Sequence, residues 1–350
     1  MSNKKTLYIL GAGASSEAGL PTGHKLKEAT ANLLDMQFNC GEQINGDEHI
    51  WEAIRIHVKQ PDIQEQDLKP YLQAAWHIRD AMPQAISIDN FIDTHNDDKM
   101  IELCGKLAIV RSILDAERSS KLYIDPSNIN NRLYFSALEE TWYASYMKLL
   151  AENCTKKDLS KRLESIVLIV FNYDRCIDHF LYNSLKNYYG LQPEEVIDLV
   201  NEIEIYHPYG VVGNLPWQGG QSVAFGAEID PYKLLDLAKQ IKTFTEGTDP
   251  ESSNIADIHD RVSRANPIVF LGFAYHKQNM ELLWPKGRIF NTTEPRSCFG
   301  TAMGISEHDC ERIKREMSPS YKRTMTALEI RNDLHCCDLF KEYRRSLSLN

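Results

Sequence analysis

Four short segments carry residue types able to cradle an anion, hold polar groups of a ligand or move a proton. The first is Gly11-Ala-Gly-Ala-Ser15, directly after the apolar run Thr6–Leu10 and before Glu17-Ala-Gly-Leu-Pro21. Glycine at Gly11 allows a tight turn, and Gly13 lets backbone approach an anion. Amides at a following helix start would favour its negative charge, with a dipole contribution of roughly 0.3–2 kcal/mol. The second is Asn172-Tyr-Asp174, after the run Ser165–Phe171. An Asn at a strand tip offers a ribose hydroxyl or carboxamide both a donor and an acceptor, and an Asp there accepts from an amide NH2. The same pair also suits a turn that caps the next helix. The third, His207-Pro-Tyr-Gly210, presents an imidazole as a general base, although any one of eleven histidines is more often structural. The fourth is Leu271-Gly-Phe-Ala274, where Gly272 would let a nucleotide pass close to the backbone.

These segments need a scaffold that brings them to one edge. Apolar runs of strand length fall at Thr6–Leu10, Ser165–Phe171, Ile203–Tyr206, Ser222–Phe225, Pro267–Leu271 and Arg296–Ala302. Helical spacing separates several of them, over Asp178–Tyr188, Tyr232–Phe244, Asn279–Leu283 and Ser306–Met317. Strands alternating with helices predict an α/β fold with a Rossmann-like, mostly parallel sheet. Between the glycine loop and the second strand the pattern is helical, over Lys25–Met36, Leu72–Met82, Met100–Glu117 and Leu133–Leu150, with breaks at Pro83 and Pro126–Asn131. The expected division is therefore 1–23 plus 165–350 as the nucleotide-binding domain. Residues 24–164 would be a large helical insertion capping the cleft at the carboxyl ends of the strands.

Composition narrows the function. The 350 residues carry a formal net charge of −10 and no basic stripe, which argues against direct nucleic-acid binding. No run approaches the ~18 apolar residues of a membrane helix. Met1-Ser-Asn-Lys-Lys5 leads into the first strand without a cleavage pattern, so a cytoplasmic location is expected. Eight cysteines form no C-x-x-C pair, so no zinc ribbon and no metal are expected, and the thiols read as buried and free. The loop departs from the dehydrogenase fingerprint: Ser16 stands where the third glycine of G-x-G-x-x-G would fall, and helix rather than a second strand follows.

In order, Gly11-Ala-Gly-Ala-Ser15 with Ala18-Gly-Leu-Pro21, Asn172-Tyr-Asp174, His207-Pro-Tyr-Gly210, Val223-Ala-Phe-Gly226 and Leu271-Gly-Phe-Ala274 resemble the NAD-binding signature of the sirtuin family. The likeness covers roughly residues 1–23 and 165–305. It implies that Gly11, Ala12, Gly13 and Ser15, with Leu20, Pro21, Gly272 and Phe273, bind NAD, and that Asn172, Asp174 and His207 are catalytic. Only about a dozen residues, Val211–Ser222, occupy the interval where deacylases carry their zinc ribbon, and Thr22-Gly-His-Lys25 replaces their acidic-Phe-Arg stretch. The chain is thus similar to the zinc-free, sirtuin-like NAD hydrolases of bacterial antiphage defence. That resemblance implies NAD as substrate, ADP-ribose and nicotinamide as products, a homo-oligomer, and a HerA-like ATPase as a partner. Deacylase, ADP-ribosyltransferase and non-catalytic assembly-subunit readings are the alternatives. Ser87-Ile-Asp-Asn-Phe-Ile92 also resembles a segment of that branch; Asp89 there is expected to cap a helix rather than reach the pocket.

Overall fold

The computed structural model describes residues 5–61, 63, 67–127, 132–247, 254–284, 296–317 and 325–349. Most of the leading segment Met1–Lys5 and residues 128–131 of the expected break at Pro126–Asn131 lie outside the described residues. Among the described residues there are eight strands: β1 Thr6–Leu10, β2 Gln37–Asn39, β3 Glu42–Asn45, β4 Ile166–Val170, β5 Glu204–Tyr206, β6 Ile268–Leu271, β7 Arg296–Thr301 and β8 Met325–Arg331. β2 and β3 form a separate antiparallel hairpin; the other six form one sheet in the order β5-β4-β1-β6-β7-β8. Every pairing in that sheet is parallel. With the hairpin set aside, the six strands renumbered in chain order read 3-2-1-4-5-6 across the sheet. This is the Rossmann order, and its direction reverses beside the first strand, opening a crevice at the carboxyl ends.

β1 and β4 are buried along their whole length, as continuous apolar runs should be in a sheet covered on both faces. Alternation sends Leu7 and Ile9 into one core and Tyr8 and Leu10 into the other. Helices Gly23–Leu33, Leu68–Ala81 and Lys99–Arg118 contribute to the first core. Helices Trp142–Ala151, Cys176–Tyr189 and Cys336–Glu342 contribute to the second. The region 24–164 therefore divides between the two faces. The aromatics Trp142, Tyr143 and Tyr146 are fully buried in the second core.

Two departures from the sequence pattern have physical causes. Ser222–Phe225 joins no sheet; only an isolated bridge links Ser222 to Asn214. The guanidinium of Arg175 donates to the carbonyls of Val223 (2.6 Å) and Ala224 (3.2 Å), so this backbone is satisfied by a buried side chain and not by a neighbouring strand. Arg175 is itself held by the buried carboxylate of Glu117, whose Oε2 also accepts the Gly226 amide (2.9 Å). Residues Gln37–Asn45, in a region read as helical, turn back as the β2–β3 hairpin through Cys40 and Gly41, both at positive φ. β8, Met325–Arg331, has no counterpart among the expected strands.

The loops after β1 and β6 touch backbone to backbone. The Gly13 amide donates to the Gly272 carbonyl (2.9 Å), and a Cβ on Gly272 would lie 2.0 Å from the Ala14 nitrogen. Gly272 also has φ +57°, so an L-residue there meets both a clash and the left-handed penalty. Gly272→Ala should cost about 3 kcal/mol or more in denaturant unfolding. Gly41→Ala, also at positive φ but with open space around it, should cost only about 1–2 kcal/mol.

Candidate functional site

A cavity of about 940 Å³ opens at the carboxyl ends of β1, β4 and β6. It lies at the upper end of the range common for ligand sites, roughly 300–1,000 Å³. Gly11, Ala12, Gly13, Asn172, Gly272 and Phe273 all line it. The sheet order brings the loops after β1, β4 and β6 side by side, which is why segments distant in the chain share one wall.

The glycine loop differs in detail from a simple phosphate cradle. Its helix spans only Ala12–Ser16. The amides of Gly11, Gly13 and Ala14 donate to the carbonyls of Leu271, Gly272 and Gly11. Gly272 is accordingly a packing residue as much as a lining one: its amide donates to Thr301 Oγ1 (2.8 Å) and its missing side chain makes room for the loop. Ala12, whose amide is not among the loop amides bonded to these carbonyls, lines the cavity with Ser16.

Asn172 is buried, and its amide NH2 donates to the Gly11 carbonyl (3.1 Å) and to Ser15 Oγ (3.0 Å). Both donors are committed to the loop, so Oδ1 is what remains for a ligand, and the expected use of donor and acceptor together reduces to acceptor alone. Ser15 lies beneath the loop as the anchor of Asn172 and does not line the cavity. Asp174 is also buried away from the wall. Its Oδ1 accepts the amide of Cys176 (3.0 Å) at the start of the helix Cys176–Tyr189, the capping role weighed above. Burial raises its carboxyl above the ordinary range, against the lowering effect of that amide. Leu20 packs into the second core, and neither it nor Pro21 lines the cavity.

His207 is not among the residues that line the cavity. Its Nε2 is 3.3 Å from Asp178 Oδ2, a contact of proximity more than an aligned hydrogen bond. Asp178 Oδ1 accepts from Gln218 Nε2 (3.2 Å), so the imidazole belongs to a cluster with the helix Cys176–Tyr189 and the loop that follows β5. No hydrogen bond joins His207 to Asn172.

Other side chains complete the wall. Tyr209, Thr301 and Asn279 line it, and the Tyr209 hydroxyl donates to Asn279 Oδ1 (2.5 Å). Tyr209 belongs to the His207–Gly210 motif, and Thr301 stands at the tip of an expected strand, so the strand-tip rule that selected Asn172 reaches both. His24, Lys27, His276, Lys277 and His335 place positive or protonatable groups around the opening, while Glu17 and Asp89 are the carboxylates. Glu17 is committed elsewhere: its two oxygens accept the amides of Trp142 (2.7 Å) and Cys337 (3.0 Å), joining two helix starts to the glycine loop.

Asp89 overturns its expected role. Ser87 caps the helix Ile88–Thr94 through the Asn90 amide (3.0 Å), and Asp89 instead lines the cavity and accepts a hydrogen bond from the Tyr173 hydroxyl. Desolvation raises its carboxyl above the ordinary range, and the Tyr173 hydrogen bond opposes that rise. An acid raised on folding stabilises the folded state below its unfolded value and loses that contribution as pH rises through the native value. Asp89→Asn, which cannot ionise, should therefore raise the thermal midpoint relative to the parent near about pH 8, with the difference shrinking towards about pH 4. A difference independent of pH, measured by calorimetry across that range, would contradict a raised carboxyl. Among the described residues no group of three or more His, Cys, Asp or Glu is arranged to hold a metal ion, and no helix is long and apolar enough to cross a membrane. No protein-family model matches this chain, and no curated protein matches it in sequence.

Proposed function

We propose that this chain is an NAD+ glycohydrolase of the sirtuin-like kind, cleaving NAD+ to ADP-ribose and nicotinamide. The observation that carries the reading is the meeting of the glycine loop, Asn172 and the Gly272–Phe273 turn around one cavity at the reversal point of a Rossmann-ordered sheet. Open α/β sheets bind dinucleotides at that position. The Ala12 amide and the cations Lys27 and Lys277 suit a diphosphate, while the Oδ1 of Asn172 suits a ribose hydroxyl or a water.

Nicotinamide in NAD+ is cationic and leaves neutral, so the leaving group needs no general acid, unlike an ordinary glycosidic oxygen. The protein's task is to hold the ribose, admit one nucleophile and exclude others. With no zinc-ribbon segment to build a peptide groove, water is the proposed acceptor. On the same reading, the physiological effect is depletion of NAD inside the cell as an antiviral response, through a homo-oligomer acting with a HerA-like ATPase. A non-catalytic nucleotide-binding subunit is the second reading; the absence of His207 from the wall and the commitment of loop amides to protein favour it.

Purified protein incubated with NAD+ should release nicotinamide and ADP-ribose in equal amounts, resolved by chromatography. Asn172→Ala should lower the rate by about 10²-fold or more, the scale for loss of a group that orients a reactant. Binding of NAD+ by calorimetry without any nicotinamide release would decide for the subunit.

A further inference from the structure

Asp89 has the placement of a group that acts on the nucleophile. It reaches the cavity from the first turn of the helix Ile88–Thr94, where Ser87 has already taken the capping role. Its partner Tyr173 directly follows Asn172 in the turn after β4. Two consecutive residues thus bring the Asn172 acceptor and a tyrosine-held carboxylate to one wall. The other lining carboxylate, Glu17, has both oxygens on backbone amides. Of the lining histidines, His24, His276 and His335 are exposed around the opening, whereas Asp89 is half-buried.

Resting on the hydrolase reading, we infer that Asp89 is the general base for the attacking water and that Tyr173 is the residue positioning it. The C1′–N bond of NAD+ breaks with its electron pair passing to the ring nitrogen, which leaves as neutral nicotinamide. The water oxygen forms the new bond to C1′, and the proton it loses passes to the Asp89 carboxylate and then to solvent. NAD+ and water are converted to ADP-ribose, nicotinamide and a proton. The desolvation that raises the Asp89 carboxyl also makes its ionised form a better proton acceptor than a fully solvated carboxylate.

The test uses the full chain and the variants Asp89→Asn, Asp89→Ala, Tyr173→Phe and His207→Ala, with nicotinamide release and ADP-ribose binding measured on each. Both Asp89 variants should lose about 10²–10⁴-fold in turnover while still binding ADP-ribose. Tyr173→Phe, lacking only the orienting hydroxyl, should lose about 2–10-fold. Sodium azide, a nucleophile that needs no deprotonation, should restore nicotinamide release in Asp89→Ala and yield 1-azido-ADP-ribose by mass spectrometry. Wild-type turnover in the Asp89 variants overturns the assignment and leaves the hydrolase reading standing, as does azide rescue of His207→Ala in place of Asp89→Ala. A wild-type chain that binds NAD+ and releases no nicotinamide removes the hydrolase reading, and the assignment with it.

Discussion

The contact between the loop after β1 and the loop after β6 is the constraint on which the site depends. Gly11 and Gly13 lie against Gly272 at distances that admit no side chain on any of the three. Strands adjacent in a parallel sheet stand roughly 4.8 Å apart, so loops leaving neighbouring carboxyl ends compete for the same space unless their side chains are absent. Removing those side chains lets the Gly13 amide bond directly to the Gly272 carbonyl and fixes one floor from two distant segments. Asn172 then extends that floor from β4 by donating to the Gly11 carbonyl and Ser15 Oγ.

Residues 24–164 are tied to this floor by buried polar contacts as well as by apolar packing. Glu117, near the end of the long helix Lys99–Arg118, holds Arg175 beside the start of the helix that follows Asn172-Tyr-Asp174. The same Arg175 supplies donors to the loop containing Val223 and Ala224. Removing one partner of such a buried pair typically costs about 3–5 kcal/mol, because a charge is left uncompensated. Trp142 donates to the Ala14 carbonyl (2.8 Å), so the second core also grips the glycine loop from below. Tyr173 to Asp89 completes the connection at the cavity itself. The turn after β4 therefore carries three roles on consecutive residues: Asn172 to the loop, Tyr173 to the helix Ile88–Thr94 and Asp174 to its own helix.

Much of the site was legible because its residues are marked by local chemistry. Glycines at a strand–helix turn and an Asn at a strand tip are readable without coordinates, since strand length and the carboxyl-end rule place them. Ser15 and Asp174 carry the same marks and serve beneath the wall, because a buried hydroxyl or carboxylate next to a free amide is drawn to that amide first. His207 shows the limit of the strand-tip rule: which neighbour an imidazole meets depends on the helix packed beside it, here through Asp178. Asp89 lay hidden for the opposite reason. Its helix-start context suggested a cap, and only the adjoining Ser87 and the distant Tyr173 decide between capping and the cavity.

By itself the sequence determined the alternation of buried strands with helices, and hence a parallel α/β sheet, because apolar periodicity is a local property of the chain. It also marked Thr6–Leu10, Ser165–Phe171 and Pro267–Leu271 as strands, and so placed the residues that follow them at the carboxyl edge. Only the tertiary structure decided the strand order, the absence of a strand at Ser222–Phe225, the division of residues 24–164 between two faces, and the partners of Asp89, Asp174 and His207. Those are contacts between residues far apart in the chain. Their outcome is set by competition among buried donors, acceptors and volumes, which a one-dimensional pattern does not contain.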